Sequence, residues 1–256
     1  MPERLVVLVP PSLGKGAAPR SRALQGTFDQ RLVDPRARVR EALADFLRVG
    51  SASQWSTVFN ARGALLERTL EATRAMLEGS AVLSSAWRRY QGVVWSYLDP
   101  GTLTPAQRRR IIVPSGLYGL LGGDDPIADY RLSMNASLFG TGPLASFWRP
   151  HLTAALLERS KGSRIINFLP LEHAASIEWP RLSAERRVTS VRFVASDETK
   201  AIGHDAKAIK GILAGAVLRD GLSALAVRER LGWRIEQRDD EVVAIAPLTR
   251  QIGVRS

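Results

Sequence analysis

The chain has 256 residues, 45% of them hydrophobic and 24% charged, a balance that excludes wholesale disorder and provides length for one large or two small domains. It has no Cys, which excludes disulfide frameworks, thiol catalysis and Cys-ligated zinc, and no apolar run approaches the ~20 residues that cross a bilayer. The formal charge is +11, from 36 basic groups (31 Arg and 5 Lys) against 25 acidic ones, so a polyanion is the first partner to consider. The surplus forms no tail: residues 1–128 carry 17 basic and 11 acidic groups, residues 129–256 carry 19 and 14. An Arg bias suits phosphate, but it is also what GC-rich codon usage produces.

Leu5–Val9 is a short Val-rich run that stops at Pro10-Pro11-Ser12-Leu13-Gly14-Lys15-Gly16, which predicts a buried strand ending in a rigid loop. It is too short for a signal-peptide core, so a soluble, cytoplasmic protein is expected. Residues 17–33 read as an extended surface segment. Asp34-Pro35 then supplies a cap and first position for a helix with Val39, Leu43, Phe46 and Leu47 inward and Gly50 as its stop. A second helix is expected over Ala61–Leu77, with Leu66, Leu70, Thr73 and Leu77 on one face. Residues 81–98 read as mainly helical, and Thr104-Pro105 caps a short helix bearing Arg108, Arg109 and Arg110.

Further strands are expected at Ile111–Val113, Ile165–Phe168 and Val191–Ala195, with a helix over Leu144–Arg159 between the first two. Ala206–Arg219 is the clearest helix, its apolar positions recurring at i, i+3, i+4, i+7 and i+8 from Ile209. Trp233–Gln237 and Val242–Ala246 read as a terminal hairpin. Strands separated by helices predict an α/β fold: one compact domain over 1–256, a mixed sheet flanked by helices, with an antiparallel edge.

Several loops invite chemistry. Gly14-Lys15 fails the phosphate-loop pattern, because Val9 stands where glycine is required and Gly16 where Ser or Thr is required. What remains is a strand-end loop carrying the Ser12 hydroxyl and the Lys15 amine, either a site or an ordinary turn. Ser115-Gly116-Leu117-Tyr118-Gly119 is no nucleophile elbow, though its glycines imply positive φ or a close approach. Asp129-Tyr130-Arg131 reads as a salt-bridged turn or as part of a site. Lys207 and Lys210 share a helix face beside Gly211, where an anion could approach. His151, His173 and His204 lack ligand spacing, so no metal and no cofactor are expected. Glu172-His173 follows a strand, where an acid–base pair or a packed histidine would fit.

Together these stretches resemble the YaaA family, peroxide-stress proteins associated with lowering intracellular iron and protecting DNA. The resemblance rests on Val7–Lys15 (VLVPPSLGK), Tyr90–Leu98 (YQGVVWSYL), Ser115–Leu120 (SGLYGL), Tyr130–Met134 (YRLSM), Phe147-Trp148, Ile165–Asn167 with Glu172, and Ala206–Gly211 (AKAIKG). It implies a helix-hairpin-helix-like element, a positively charged cleft and double-stranded or structured DNA as ligand. It also implies that Ser12, Lys15, Ser115, Tyr118, Tyr130, Arg131, Asn167, Glu172, Lys207 and Lys210 gather in that cleft. Five positions depart from the family pattern. Leu13 stands where many members carry an acid, Gly122-Gly123 where many carry Arg-Pro, and Pro170 and His173 where Ser and Tyr commonly flank the glutamate. The resulting expectation is a DNA-binding stress protein that contacts phosphates without base readout. The alternative is an enzyme in which Lys207 and Lys210 hold an anionic or nucleobase-like small molecule while Glu172 and His173 move protons, for example within a biosynthetic pathway.

Overall fold

The computed structural model describes residues 3–23, 25–197, 203–226 and 228–247. In chain order, strand β1 (Leu5–Leu8) is followed by helices α1 (Asp29–Val49), α2 (Ala52–Phe59) and α3 (Gly63–Leu77), the short strand β2 (Ser84–Ser85) and helices α4 (Ala86–Arg89), α5 (Val93–Leu98) and α6 (Pro105–Arg108). Next come β3 (Ile111–Ser115), β4 (Gly119–Gly122), three two-residue strands β5 (Pro126–Ile127), β6 (Ser137–Leu138) and β7 (Gly142–Pro143), helix α7 (Leu144–Arg159) and strand β8 (Arg164–Asn167). Helices α8 (Leu171–Ala174) and α9 (Trp179–Glu185), strand β9 (Val188–Val194), helix α10 (His204–Asp220) and strands β10 (Glu229–Arg230), β11 (Trp233–Arg238) and β12 (Glu241–Ile245) complete the described chain.

Eight strands form one mixed sheet in the order β10-β11-β12-β9-β8-β1-β3-β4. The central five, β12 to β3, are mutually parallel, while β4 and the β10–β11 pair close the two edges antiparallel. All four residues of β1 and all five of β3 are buried, which requires cover on both faces and explains the apolar runs Leu5–Leu8 and Ile111–Pro114. The α/β expectation with an antiparallel edge therefore holds, at both edges. The terminal hairpin turns at Asp239, in left-handed backbone (φ 53°), and β12 joins the sheet by pairing parallel with β9.

Local differences have identifiable causes. α1 starts at Asp29 rather than at Asp34-Pro35, through a kink at Leu32 (φ −114°, ψ 15°). Pro35 thus sits in the first turn of the straight segment, where its missing N–H costs no hydrogen bond. Residues 81–98 are not one helix: Gly92 (φ 121°) separates α4 from α5. α2 and β4 have no counterpart in the sequence reading. α2 is polar in four of its eight positions, and β4 is only four residues long. The helix-hairpin-helix-like element is not confirmed by these helices.

Glycine fixes the contact between α10 and α5. A Cβ at Gly211 would lie 2.4 Å from the Val94 carbonyl oxygen and 2.9 Å from the Leu98 backbone nitrogen, and one at Gly215 would lie 2.8 Å from the Leu98 carbonyl oxygen. The room at Gly211 is therefore filled by the backbone of α5, not left for an anion. Gly211→Val should lower stability by about 1–3 kcal/mol, because neither backbone can retreat. A thermal melt checks this, and an unchanged Tm would contradict the packing.

Candidate functional site

β1 is the topological switch point of the sheet. The chain leaves it for β3 on one side and later returns through α7 to β8 on the other, with Leu8 registered against both Ile112 and Asn167. Parallel sheets place ligand crevices outside the carboxyl ends of strands at such points. Here a cleft of about 600 Å³ opens there, bounded by the loop after β1, the end of α2, residues 130–137 and the start of α8. That volume falls in the range of small-molecule sites, roughly 300–1,000 Å³.

The loop is held by its neighbours. The Trp95 indole donates to the Pro10 carbonyl at 3.0 Å, and Gln91 and Gly16 exchange backbone hydrogen bonds with Gly14 and Arg89. This anchoring turns Lys15 inward, leaving it 6% exposed although it lines the cleft. Its Nζ donates to the Ser12 carbonyl at 2.9 Å and lies 3.7 Å from the Tyr130 ring centroid and 5.3 Å from that of Tyr90. Burial lowers the ammonium pKa to about 7; the Asp129 charge opposes this, and Arg131 and Arg89 reinforce it. Among the described residues no carboxylate forms an ion pair with Lys15.

Beneath the amine runs a buried hydroxyl chain. The Ser115 hydroxyl oxygen accepts from the backbone N–H groups of Leu117 and Tyr118 at 3.2 and 3.1 Å, so its own proton is free to go to Tyr130, 2.8 Å away. Tyr130 then donates to Tyr90 at 2.7 Å. Burial pushes the phenols of Tyr90 and Tyr130 well above their usual range, so both stay protonated.

Across the cleft, α8 carries Glu172 and His173. The His173 Nε2 lies 2.9 Å from the Glu172 Oε1, and Asn135 donates to the other carboxylate oxygen at 3.1 Å. In a neutral imidazole this contact places the proton on Nε2 and leaves the lone pair on Nδ1. His173 is 5% exposed, and Nδ1 is buried with no hydrogen-bond partner among the described residues.

Ser12, Lys15, Tyr130, Glu172 and His173 thus share one cleft, with Leu13 on its lining. The other candidate residues lie elsewhere. Ser115 sits behind Tyr130. The Tyr118 hydroxyl accepts from the Ala128 backbone at 3.0 Å. Arg131 donates to the carbonyls of Phe59 and Asn60 at the end of α2 (2.8 and 3.0 Å), so its guanidinium builds the wall. Asn167 faces a neighbouring groove, with its amide 3.3 Å from the Ser190 hydroxyl. Lys207 is exposed on α10, Lys210 lies 5.1 Å from the Phe193 ring centroid, and neither lines the cleft. Sequence reasoning did not single out Thr57, Asn60, Ser133, Asn135 or Ser137, which also line it. The polar run Ser133–Ser137 was the available signal. Among the described residues no three His, Asp or Glu side chains group as a metal site, and no helix is long and apolar enough to cross a membrane.

The fold and crevice define an α/β protein with a cleft at the carboxyl end of β1. Residues 5–234 match the family described as peroxide stress protein YaaA, and the chain belongs to that family. It is similar to a UPF0246 protein of Streptomyces coelicolor, 28% identical over 223 residues that make up 85% of this chain and 84% of the relative. A UPF0246 protein of Ruegeria is 33% identical over 146 residues (52% and 57%), and one of Lactobacillus acidophilus is 27% identical over 177 residues (66% and 68%).

The lowered pKa of Lys15 has a consequence for stability. Between about pH 7 and the usual lysine pKa the unfolded chain binds a proton that the folded chain releases, so this residue's contribution to stability rises with pH. Denaturant unfolding of wild type and Lys15→Met at pH 7, 8 and 9 should show Lys15→Met the more stable at pH 7, by a margin that shrinks toward pH 9. A constant difference would contradict the burial of the amine.

Proposed function

We propose that this member of the peroxide-stress family works through the cleft, as an enzyme on a small anionic or nucleobase-like molecule. The observation that carries the reading is the Glu172–His173 pair, with its carboxylate–imidazole contact at 2.9 Å and a buried, unpartnered Nδ1 on a residue of the cleft lining. Glu172 fixes the tautomer, and once binding opens the buried Nδ1 to the cleft its lone pair takes a proton from the bound molecule, with Glu172 stabilising the resulting imidazolium. Lys15 and the Ser12 hydroxyl supply the polar contacts that orient the substrate.

A panel of nucleobases, nucleosides, carboxylates and phosphate esters, screened by thermal shift, tests this reading. A stabilising compound should lose its effect in Lys15→Met, and a compound that stabilises both proteins equally would place binding outside the cleft. For a substrate found this way, His173→Ala should lower turnover by roughly 10²–10⁴-fold and flatten the acid limb of the pH–rate profile. An unchanged profile would remove His173 from the chemistry.

DNA binding is a second reading, favoured by a different surface. Arg20, Arg22, Arg88 and Arg108 line a groove of about 570 Å³ around Trp87, with the Arg88 and Arg108 guanidinium carbons 4.4 and 5.0 Å from its indole. Arg108 is paired with Asp124, whereas Arg20, Arg22 and Arg88 are exposed. Phosphate contacts there would be independent of sequence and steeply salt-dependent. Affinity for two unrelated duplexes should fall alike with salt, and Arg20→Gln with Arg22→Gln and Arg88→Gln should reduce the log–log slope by about 2–3. His173→Ala should leave it unchanged. A flat salt response, or no binding at low salt, would end the DNA reading.

A further inference from the structure

We propose that Lys15 is an imine-forming amine, and that the molecule taken by the cleft carries an aldehyde or ketone carbonyl. The inference rests on the small-molecule reading above and names the chemistry of its substrate. Lys15 is a residue of the cleft lining whose side chain is almost wholly removed from bulk water, and the one hydrogen bond of its amine in the structure is to the Ser12 carbonyl at 2.9 Å. That bond occupies one N–H and leaves the nitrogen free of a carboxylate that would fix it as an ammonium. The groups around it are Asp129, Arg131, Arg89 and the rings of Tyr90 and Tyr130. Asp129 is itself paired with Arg68 at 3.1 Å. Desolvation therefore prevails, and close to half of the amines are neutral near pH 7, where an exposed lysine has almost none.

The step balances without any further reactant. The neutral Nζ attacks the carbonyl carbon, a C–N bond forms as the C=O π bond breaks, and an amine proton passes to the oxygen to give a carbinolamine. Loss of the oxygen with the second amine proton, as water, leaves the imine. No oxidant or reductant is involved, and hydrolysis by the reverse route restores the amine. The Glu172–His173 pair, on the same lining, is the acid–base group available for these proton movements. The lowered basicity explains why burial at this position is compatible with function: a nucleophilic lysine must spend time uncharged at working pH.

The test uses the full-length protein with glyoxylate, a small anionic aldehyde, and cyanoborohydride to trap imines, followed by peptide mass spectrometry. Labelling at Lys15 at pH 7 should proceed about tenfold or more faster than the mean of the other four lysines, reflecting its larger neutral fraction. Its rate should level off just above pH 7, while exposed lysines keep gaining rate toward pH 10. Labelling of Lys15 no faster than that of Lys161 or Lys207, or a rate that climbs with theirs to pH 10, would overturn the proposal. A second, larger probe, pyridoxal, separates a reactive amine in a cleft from one that only glyoxylate can reach. Trapping of both at Lys15 supports the substrate class, and trapping of neither overturns it. The two proposals fail separately. Labelled Lys15 with an unaltered pH–rate profile in His173→Ala removes the proton-moving pair alone, and unlabelled Lys15 with that limb lost removes the imine alone.

Discussion

Holding one ammonium group out of water at the carboxyl end of the central strand constrains everything around the cleft. A buried cation without partners costs several kcal/mol, and a protein meets that cost by pairing the charge or by allowing it to neutralise. This fold pairs it only partly. A single carbonyl and two aromatic faces attend the amine, while Arg131 and Arg89 act against its charge. Had a carboxylate been in contact, Lys15 would be a fixed structural cation. The arrangement instead leaves an amine that changes protonation near neutrality, and such groups concentrate where chemistry takes place.

The same accounting applies to the arginines, and it changes what the net charge of +11 means. Many guanidinium groups are committed to backbone carbonyls. Arg36 donates to Tyr118 and to Leu120 in β4, Arg40 to Met76 and Leu77 at the end of α3, and Arg89 to Gly16 and Val82. Arg131 does the same for α2 and Arg186 for the Leu157 carbonyl. Last-turn carbonyls lack intrahelical partners, and a planar five-donor cation satisfies two at once while complementing the helix dipole. Charge that composition assigns to a polyanion is thus partly internal mortar. The arginines left exposed around Trp87 are among those not committed in this way.

Where the sequence was legible, periodicity and punctuation made it so. The buried run at Leu5–Val9, the amphipathic repeat of α10 and the hairpin near Asp239 depend on local patterning, and each stands where patterning put it. α2 was hidden because its polar residues give little stripe, yet its end, with Thr57 and Asn60, forms one side of the cleft. The polar residues quoted for the family resemblance divide in space for a reason that no linear pattern encodes. Lys15 and Glu172 meet because β1 and β8 are neighbours in the sheet, although 157 positions separate the two side chains in sequence (172 − 15). Asn167 ends the same strand, but its side chain points to the adjoining groove.

That division bears on how two ligand classes could coexist in one chain. A duplex presents phosphates along a broad surface, and an amine with 6% exposure inside a crevice cannot follow them without the surrounding loops opening. The groove around Trp87 has the opposite character, with guanidinium groups that reach outward and a flat ring between two of them. In shape the cleft thus suits the small molecule proposed above, and the Trp87 groove the extended anion of the second reading. The anchored loop from Pro10 to Gly16 reaches from one surface toward the other: its Lys15 lines the cleft, while Gly16 is tied to Arg89, next to Arg88 of the groove. Displacing that loop would expose Lys15 to water and restore its ordinary basicity.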